Sequence, residues 1–257
     1  MGLGLSTDWA AKRERAFWLP HPPVSVTLFR ILEDAIVAAW GILHAEPPRP
    51  FDPKTAKETD FTTHLHEILE DHLLDSTVVD GFTGEVFSSI QRPEVRNYDG
   101  KKTRKRPDMV AFLADRANVM RSQDGIFVEC KPVDGAHSLL TDYCKAGIAR
   151  FIVGDYAWAM TEALMVGYNS VHDRPSAALV KPFALRAADV RAFAKPRDCK
   201  RSPHVPPVAI TRHNRDFPLR GRRAPAITLR HLWLAAPGVA ATHRPPEFST
   251  PAPSVTS

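Results

Sequence analysis

Cysteine is scarce in this chain. Its three thiols, Cys130, Cys144 and Cys199, show no C-X-X-C spacing and make no paired set, which argues against a disulfide framework or a structural zinc site. No apolar run is both long enough to cross a bilayer and free of charge, and the opening residues lack the basic, apolar and small-residue order of a secretory signal. The expected setting is therefore the cytoplasm, with no membrane partner. Missing too are a G-X-X-X-X-G-K-[ST] loop, a dinucleotide glycine fingerprint and a G-X-S-X-G elbow, so ATP-driven, nicotinamide-linked and serine-hydrolase chemistry have no support. Repeats of solenoid length are absent as well.

Positive charge is present, and it is unevenly placed. The formal net charge is +5, yet residues 195–230 hold ten Lys or Arg against Asp198 and Asp216, leaving a net −3 for everything else. A second basic group, Lys101, Lys102, Arg104, Lys105 and Arg106, stands directly before Asp108. Such patches suit a polyanionic partner, because phosphates gain from neutralisation and released counterions.

Proline is plentiful, at 23 residues, and it punctuates the chain. Residues 1–23 read as an irregular arm. From Ser25 to about His44, Leu28, Ile31, Leu32, Ala35, Ile36, Ala39, Trp40 and Leu43 recur at helical spacing, with Arg30, Glu33 and Asp34 expected toward water. Pro47-Pro48-Arg49-Pro50 then stops that helix. A second helix is predicted from Thr55 through Leu73, opened by Thr55-Ala-Lys-Glu58, which fits a capping box. Glu58 falls on the apolar stripe of that helix, Glu67 on its far side, and His72 toward the stripe.

The chain is organised around two short apolar runs, Met109–Leu113 and Ile126–Pro132, separated by the polar segment 114–124. Adjacent antiparallel strands are the simplest outcome. Alternation along the second strand puts Phe127, Glu129 and Lys131 on one face and Ile126, Val128 and Cys130 on the other, so Cys130 is expected in the core. If Asp108 opens the first strand beside Glu129, two carboxylates and one ammonium converge. Neighbouring carboxylates oppose each other's ionisation, and a divalent cation relieves that cost; hard oxygen donors favour Mg²⁺ or Mn²⁺.

Pro107-Asp108, twenty intervening residues and then Glu129-Cys130-Lys131 resembles the PD-(D/E)XK motif of the restriction-endonuclease-like nuclease superfamily. The resemblance spans roughly residues 55–168. It implies an α/β fold with a mixed central sheet flanked by helices. It further implies Asp108, Glu129 and the Cys130 carbonyl as metal ligands, Lys131 as the group that positions the attacking water, and Mg²⁺-dependent cleavage of DNA, with RNA an alternative substrate. Helices preceding this hairpin often add an acidic ligand in the superfamily, and Glu58 is the candidate here, its other reading being the helix cap. Cutting as a homodimer is common among such nucleases. The rival expectation is a protein of the same fold that binds nucleic acid without cutting it, alone or within a larger complex.

Downstream, a helix is predicted over about 137–152, with Lys145, Arg150 and Tyr143 as candidate DNA contacts, then a buried strand from Ala163 to Tyr168 and a short helix around 184–193. Val208–His213 and Ala226–Leu234 are expected to form a basic β-hairpin, whose Arg212, Arg215, Arg222 and Arg223 would contact phosphates, with His213 and His231 as weaker candidates. The expected organisation is an arm and helix over 1–50, a nuclease-like core over 51–194, a basic extension packed on it over 195–236, and a disordered tail over 237–257.

Overall fold

The computed structural model describes residues 19–52, 55–116, 121–199 and 206–236. Most of the expected N-terminal arm and the whole expected tail lie outside the described residues.

The protein is a mixed α/β structure built on a seven-stranded sheet of order β1-β2-β3-β4-β9-β6-β5. Strands β1 (Phe87–Gln91), β2 (Met109–Leu113) and β3 (Ile126–Pro132) form an antiparallel meander, and β4 (Glu162–Ser170) runs parallel to β3. The β2 and β3 side chains are buried throughout, which explains why their sequences are continuous apolar runs rather than alternating ones. As expected, Cys130 is fully buried.

The segment 195–236 is not an extension laid on a finished core. It supplies β5 (Arg197–Cys199), β6 (Val208–His213) and β9 (Ile227–Ala235), and β9 lies between β4 and β6, parallel to the former and antiparallel to the latter. β6 and β9 are paired as expected, but inside the main sheet. The exposed basic hairpin is a different and smaller one, β7 (Pro218–Leu219) with β8 (Arg222–Arg223), which turns through Arg220 and Gly221, both at positive φ, and forms a separate two-stranded sheet.

Helix α1 (Val26–Ala45) is capped by the Ser25 hydroxyl, which accepts from the Leu28 N–H at 3.3 Å, and buries Phe29, Leu32, Ile36, Ala39, Trp40 and Leu43. Glu33, expected in water, is also buried. Its carboxylate takes a two-pronged hydrogen bond from Arg230 of β9, at 2.5 Å from Nε and 3.0 Å from the second nitrogen, so helix and sheet share an internal ion pair.

Helix α2 (Glu58–Glu67) continues as a π-helix to Leu73. The capping box does not form. Thr55 donates to Asp52 at 3.1 Å, the helix begins three residues later, and Lys57 at its N-cap makes no side-chain cap. A local Asx partner outcompetes the helix for that hydroxyl. His72 is exposed rather than turned to the stripe, while Glu67 is exposed as expected and pairs with His64. Helix α3 is wound as a π-helix over Leu139–Ile148 and as an α-helix over Ala149–Ile152, and Gly154 at positive φ ends it. α5 (Ala187–Val190) falls within the helix expected around 184–193, and a longer helix, α4 (Pro175–Leu185), precedes it, started by Pro175.

Candidate metal centre

Asp108 is the residue immediately before β2, and the antiparallel register pairs Met109 with Val128, which brings the start of β2 against the end of β3. The Asp108 carboxylate accepts from the Cys130 N–H at 2.7 Å, so the strand edge left open by the start of β2 is closed by an acid. Because the N–H and C=O of one strand residue lie on the same side, the Cys130 carbonyl faces that side too. Glu129 and Lys131 project from the opposite face to Cys130, under α3.

Glu129 is fully buried, and only one of its oxygens accepts a hydrogen bond. One carboxylate oxygen, Oε1, lies 3.0 Å from Lys131 Nζ and 3.2 Å from a terminal nitrogen of Arg150; the other accepts from the Tyr156 hydroxyl. Lys131 also donates to Glu58 at the first turn of α2. Glu58, released from capping, thus reaches the cluster. Gly147 of α3 makes room for the lysine stem, since a Cβ there would stand 3.4 Å from Lys131 Cγ and 2.9 Å from Met165 Cε.

Among the described residues, Glu58, Asp108 and Glu129 offer carboxylate oxygens that all lie within 4.8 Å of one another. Adjacent oxygens in an octahedral Mg²⁺ shell are about 3 Å apart and opposite ones about 4.2 Å, so the three side chains would have to draw inward to share one ion. The electrostatics are those of an unfinished site. Burial, then repulsion from Glu129, pushes the Asp108 carboxyl up to about 7 against the pull of Lys131 and the Cys130 N–H. Burial also raises Glu129, opposed by Lys131, Arg150 and Tyr156. For Lys131, burial acts to lower the pKa, but Glu129, Asp108 and Glu58 outweigh it and hold the ammonium charged above its ordinary range. Once Asp108 is ionised, above about pH 7, three carboxylates face two cations and leave one negative charge in excess, which a hard cation would answer.

The other expected contacts divide. Lys145, Arg212, Arg222 and Arg223 are exposed, Arg212 stacking its guanidinium over Phe193 at 5.1 Å. The cations of the 101–106 loop are each matched by an acid: Lys102 and Lys105 with Asp155, Arg104 and Arg106 with Glu94, and Lys101 with Asp99. That loop and the β7–β8 hairpin meet where Tyr98 stacks on Phe217 at 4.7 Å.

Arg215 is a correction. It is buried and donates to the carbonyls of Trp158 and Met160, so it braces the chain before β4 and is not available to a phosphate. Tyr143, His213 and His231 are also fully buried, joined in one hydrogen-bonded chain, and none of the three is available to DNA. Arg150, expected on the surface of α3, instead reaches Glu129. Tyr156 was not anticipated at all. The signal for it was the Gly154-Asp155 break, which turns the chain back and lets a following side chain point under the helix.

Comparison with protein-family models, curated proteins and solved structures finds no match for this chain.

Proposed function

We propose that the protein is a divalent-metal-dependent phosphodiesterase acting on DNA, with Asp108, Glu129, Glu58 and the Cys130 carbonyl as the ligands of Mg²⁺ or Mn²⁺. The reading rests on one observation: two acids and a lysine 21 to 23 residues apart in sequence, joined by Glu58 from a separate helix, meet at the edge where β2 begins. The antiparallel β1–β2–β3 meander, the parallel β4 and the helices α2 and α3 about the site support a restriction-endonuclease-like fold.

When bound, the ion would polarise the scissile phosphate and lower the pKa of a coordinated water. The chain's own groups do the rest. Lys131, held by Glu58 and Glu129, keeps a full positive charge beside the cluster, where it orients a nucleophilic water and offsets charge developing on the phosphate. Tyr156 fixes one oxygen of Glu129, which leaves the other facing the cluster. Exposed Arg222, Arg223, Arg212 and Lys145 would hold backbone phosphates without reading base sequence.

The test is cleavage of supercoiled and linear DNA with Mg²⁺ or Mn²⁺ by the full chain and by Asp108→Ala and Lys131→Ala. Loss of at least a hundredfold in both variants is expected; undiminished cutting by both ends the proposal. Salt-sensitive retention of DNA with no metal-dependent product would instead leave a nucleic-acid-binding protein.

A further inference from the structure

Both oxygens of Glu129 have close neighbours, which raises the question of what yields when a cation arrives. Lys131 and Arg150 stand at ion-pair distance from Oε1, which accepts no hydrogen bond, and the Tyr156 hydroxyl donates to Oε2. Tyr156 cannot leave readily, being fully buried and packed edge-on against Phe151 at 5.1 Å. Lys131 has a 4% exposed side chain and is tied to Glu58 as well. Arg150 differs from both. Its side chain is 39% exposed, and its ion pair is with Glu129 alone among the three acids of the cluster.

We propose that Arg150 is an exchangeable cation, paired with Glu129 until a divalent ion takes Oε1 and then transferred to the phosphate group of the bound nucleic acid. The inference rests on the reading of the cluster as a nuclease metal centre. Arg150 and a dication cannot share that oxygen without strong like-charge repulsion, and the Arg150 side chain is far less buried than those of Lys131 and Tyr156. It remains anchored on the last turn of α3, beside the same acids. A planar donor fork at that distance suits two oxygens of a phosphodiester, where a lysine would act only as a point charge. The exchange makes metal and phosphate binding cooperative: the ion frees the arginine, and the phosphate removes its route back to Glu129.

Opposite signs in two binding measurements test this. Mn²⁺ affinity of the full chain would be measured by calorimetry for wild type, Arg150→Ala and Arg150→Lys. Retention of a labelled duplex would be measured in parallel by fluorescence anisotropy, with Ca²⁺ in place of a turnover-supporting metal. Removing a competing half-exposed ion pair should tighten Mn²⁺ binding about fivefold in Arg150→Ala, while metal-supported duplex retention weakens about tenfold. Arg150→Lys should restore the Mn²⁺ affinity toward wild type but not the duplex retention. An arginine that merely braces Glu129 gives weaker Mn²⁺ binding in Arg150→Ala, and that result, or an unchanged constant, overturns the proposal. Should Arg150→Ala fail to fold, identical duplex retention by Arg150→Lys and wild type overturns it equally. Wild type that binds no Mn²⁺ removes the metal-centre reading itself, and this proposal with it.

Discussion

Asp108→Asn should make the metal-free protein more stable while abolishing its activity. The folded state holds the Asp108 carboxyl at about 7, against 3.8 for an ordinary aspartate, because burial and Glu129 both oppose its charge. Between those two values the folded chain carries a proton that the unfolded chain has released, so the folded state binds more protons and stability falls as pH rises through the window. Above about pH 7 the full cost is present. At roughly 1.4 kcal/mol per pH unit the shift corresponds to about 4 kcal/mol, and relaxation of the neighbouring charges should reduce the realised figure to about 2 kcal/mol. Asparagine keeps an oxygen for the Cys130 N–H and carries no charge. For a chain of this size about 2 kcal/mol raises Tm by roughly 4–8 °C. The assay is thermal unfolding with EDTA at pH 8 and again at pH 5, read as the difference between variant and wild type so that other titrating groups cancel. The gain should be largest at pH 8 and less than half as large at pH 5, which lies inside the window between the two values. Adding Mn²⁺ should raise the Tm of wild type and leave the variant unmoved. A variant no more stable than wild type at pH 8, or equally stabilised at both pH values, would refute the electrostatic account of the cluster.

Two further outcomes follow from neighbouring structure. Gly147→Ala should unfold within a few degrees of wild type, since Met165 can move its flexible end and alanine favours a helix by about 1 kcal/mol, yet kcat should fall on the order of tenfold as the added methyl crowds the stem of Lys131; unchanged kcat would show that the lysine's position is not set by α3. His213 and His231 should remain neutral at pH 5.5 in nitrogen-15 NMR, with the proton of His213 on Nδ1 and that of His231 on Nε2, because burial holds His213 down at about 4 and pulls His231 well below the ordinary histidine value; a charged ring or the reverse tautomer in either residue would contradict the hydrogen-bond geometry.

The acid pair was legible because every step toward it is local. Apolar runs fix β2 and β3, period-two alternation fixes their faces, and a polar segment of hairpin length returns the chain, so Asp108 and Glu129 had few other places to go. The errors share a different cause. Glu33 lies at helical spacing with Phe29, Ile36 and Trp40, which marks a buried face, but its charge suggested water; the partner that makes burial tolerable, Arg230, is 197 residues away. The pattern Thr55-Ala-Lys-Glu58 is a good capping box that lost its hydroxyl to Asp52, and nothing within four residues shows which competitor wins. Arg215 was counted with the phosphate contacts because composition registers charge and not depth. The +8 of residues 195–230 includes Arg215 and Arg230, both of which are internal, and that leaves fewer cations for a polyanion than the sum suggests.

A buried hydrogen-bonded chain also explains why the C-terminal strands cannot be separated from the acidic cluster. His213 Nδ1 faces the Val190 carbonyl at 2.6 Å, and a carbonyl only accepts, so that nitrogen carries the proton and Nε2 accepts from Thr211. Having donated, the threonine oxygen must receive from His231 Nε2, which leaves His231 Nδ1 to accept from Tyr143, whose oxygen in turn accepts from the Trp233 indole. Each proton has one place in this chain, and each buried polar atom along it has a partner. Tyr143 belongs to α3, one turn before Gly147, while His231 and Trp233 belong to β9. Gly167 of β4 is required at the same point, since a Cβ there would stand 2.5 Å from the Trp233 ring. The helix that covers Lys131 and carries Arg150 is therefore held in register by β6 and β9, so the basic segment acts on the site first as its scaffold, with Arg212, Arg222 and Arg223 left exposed as candidates for the proposed phosphate contacts.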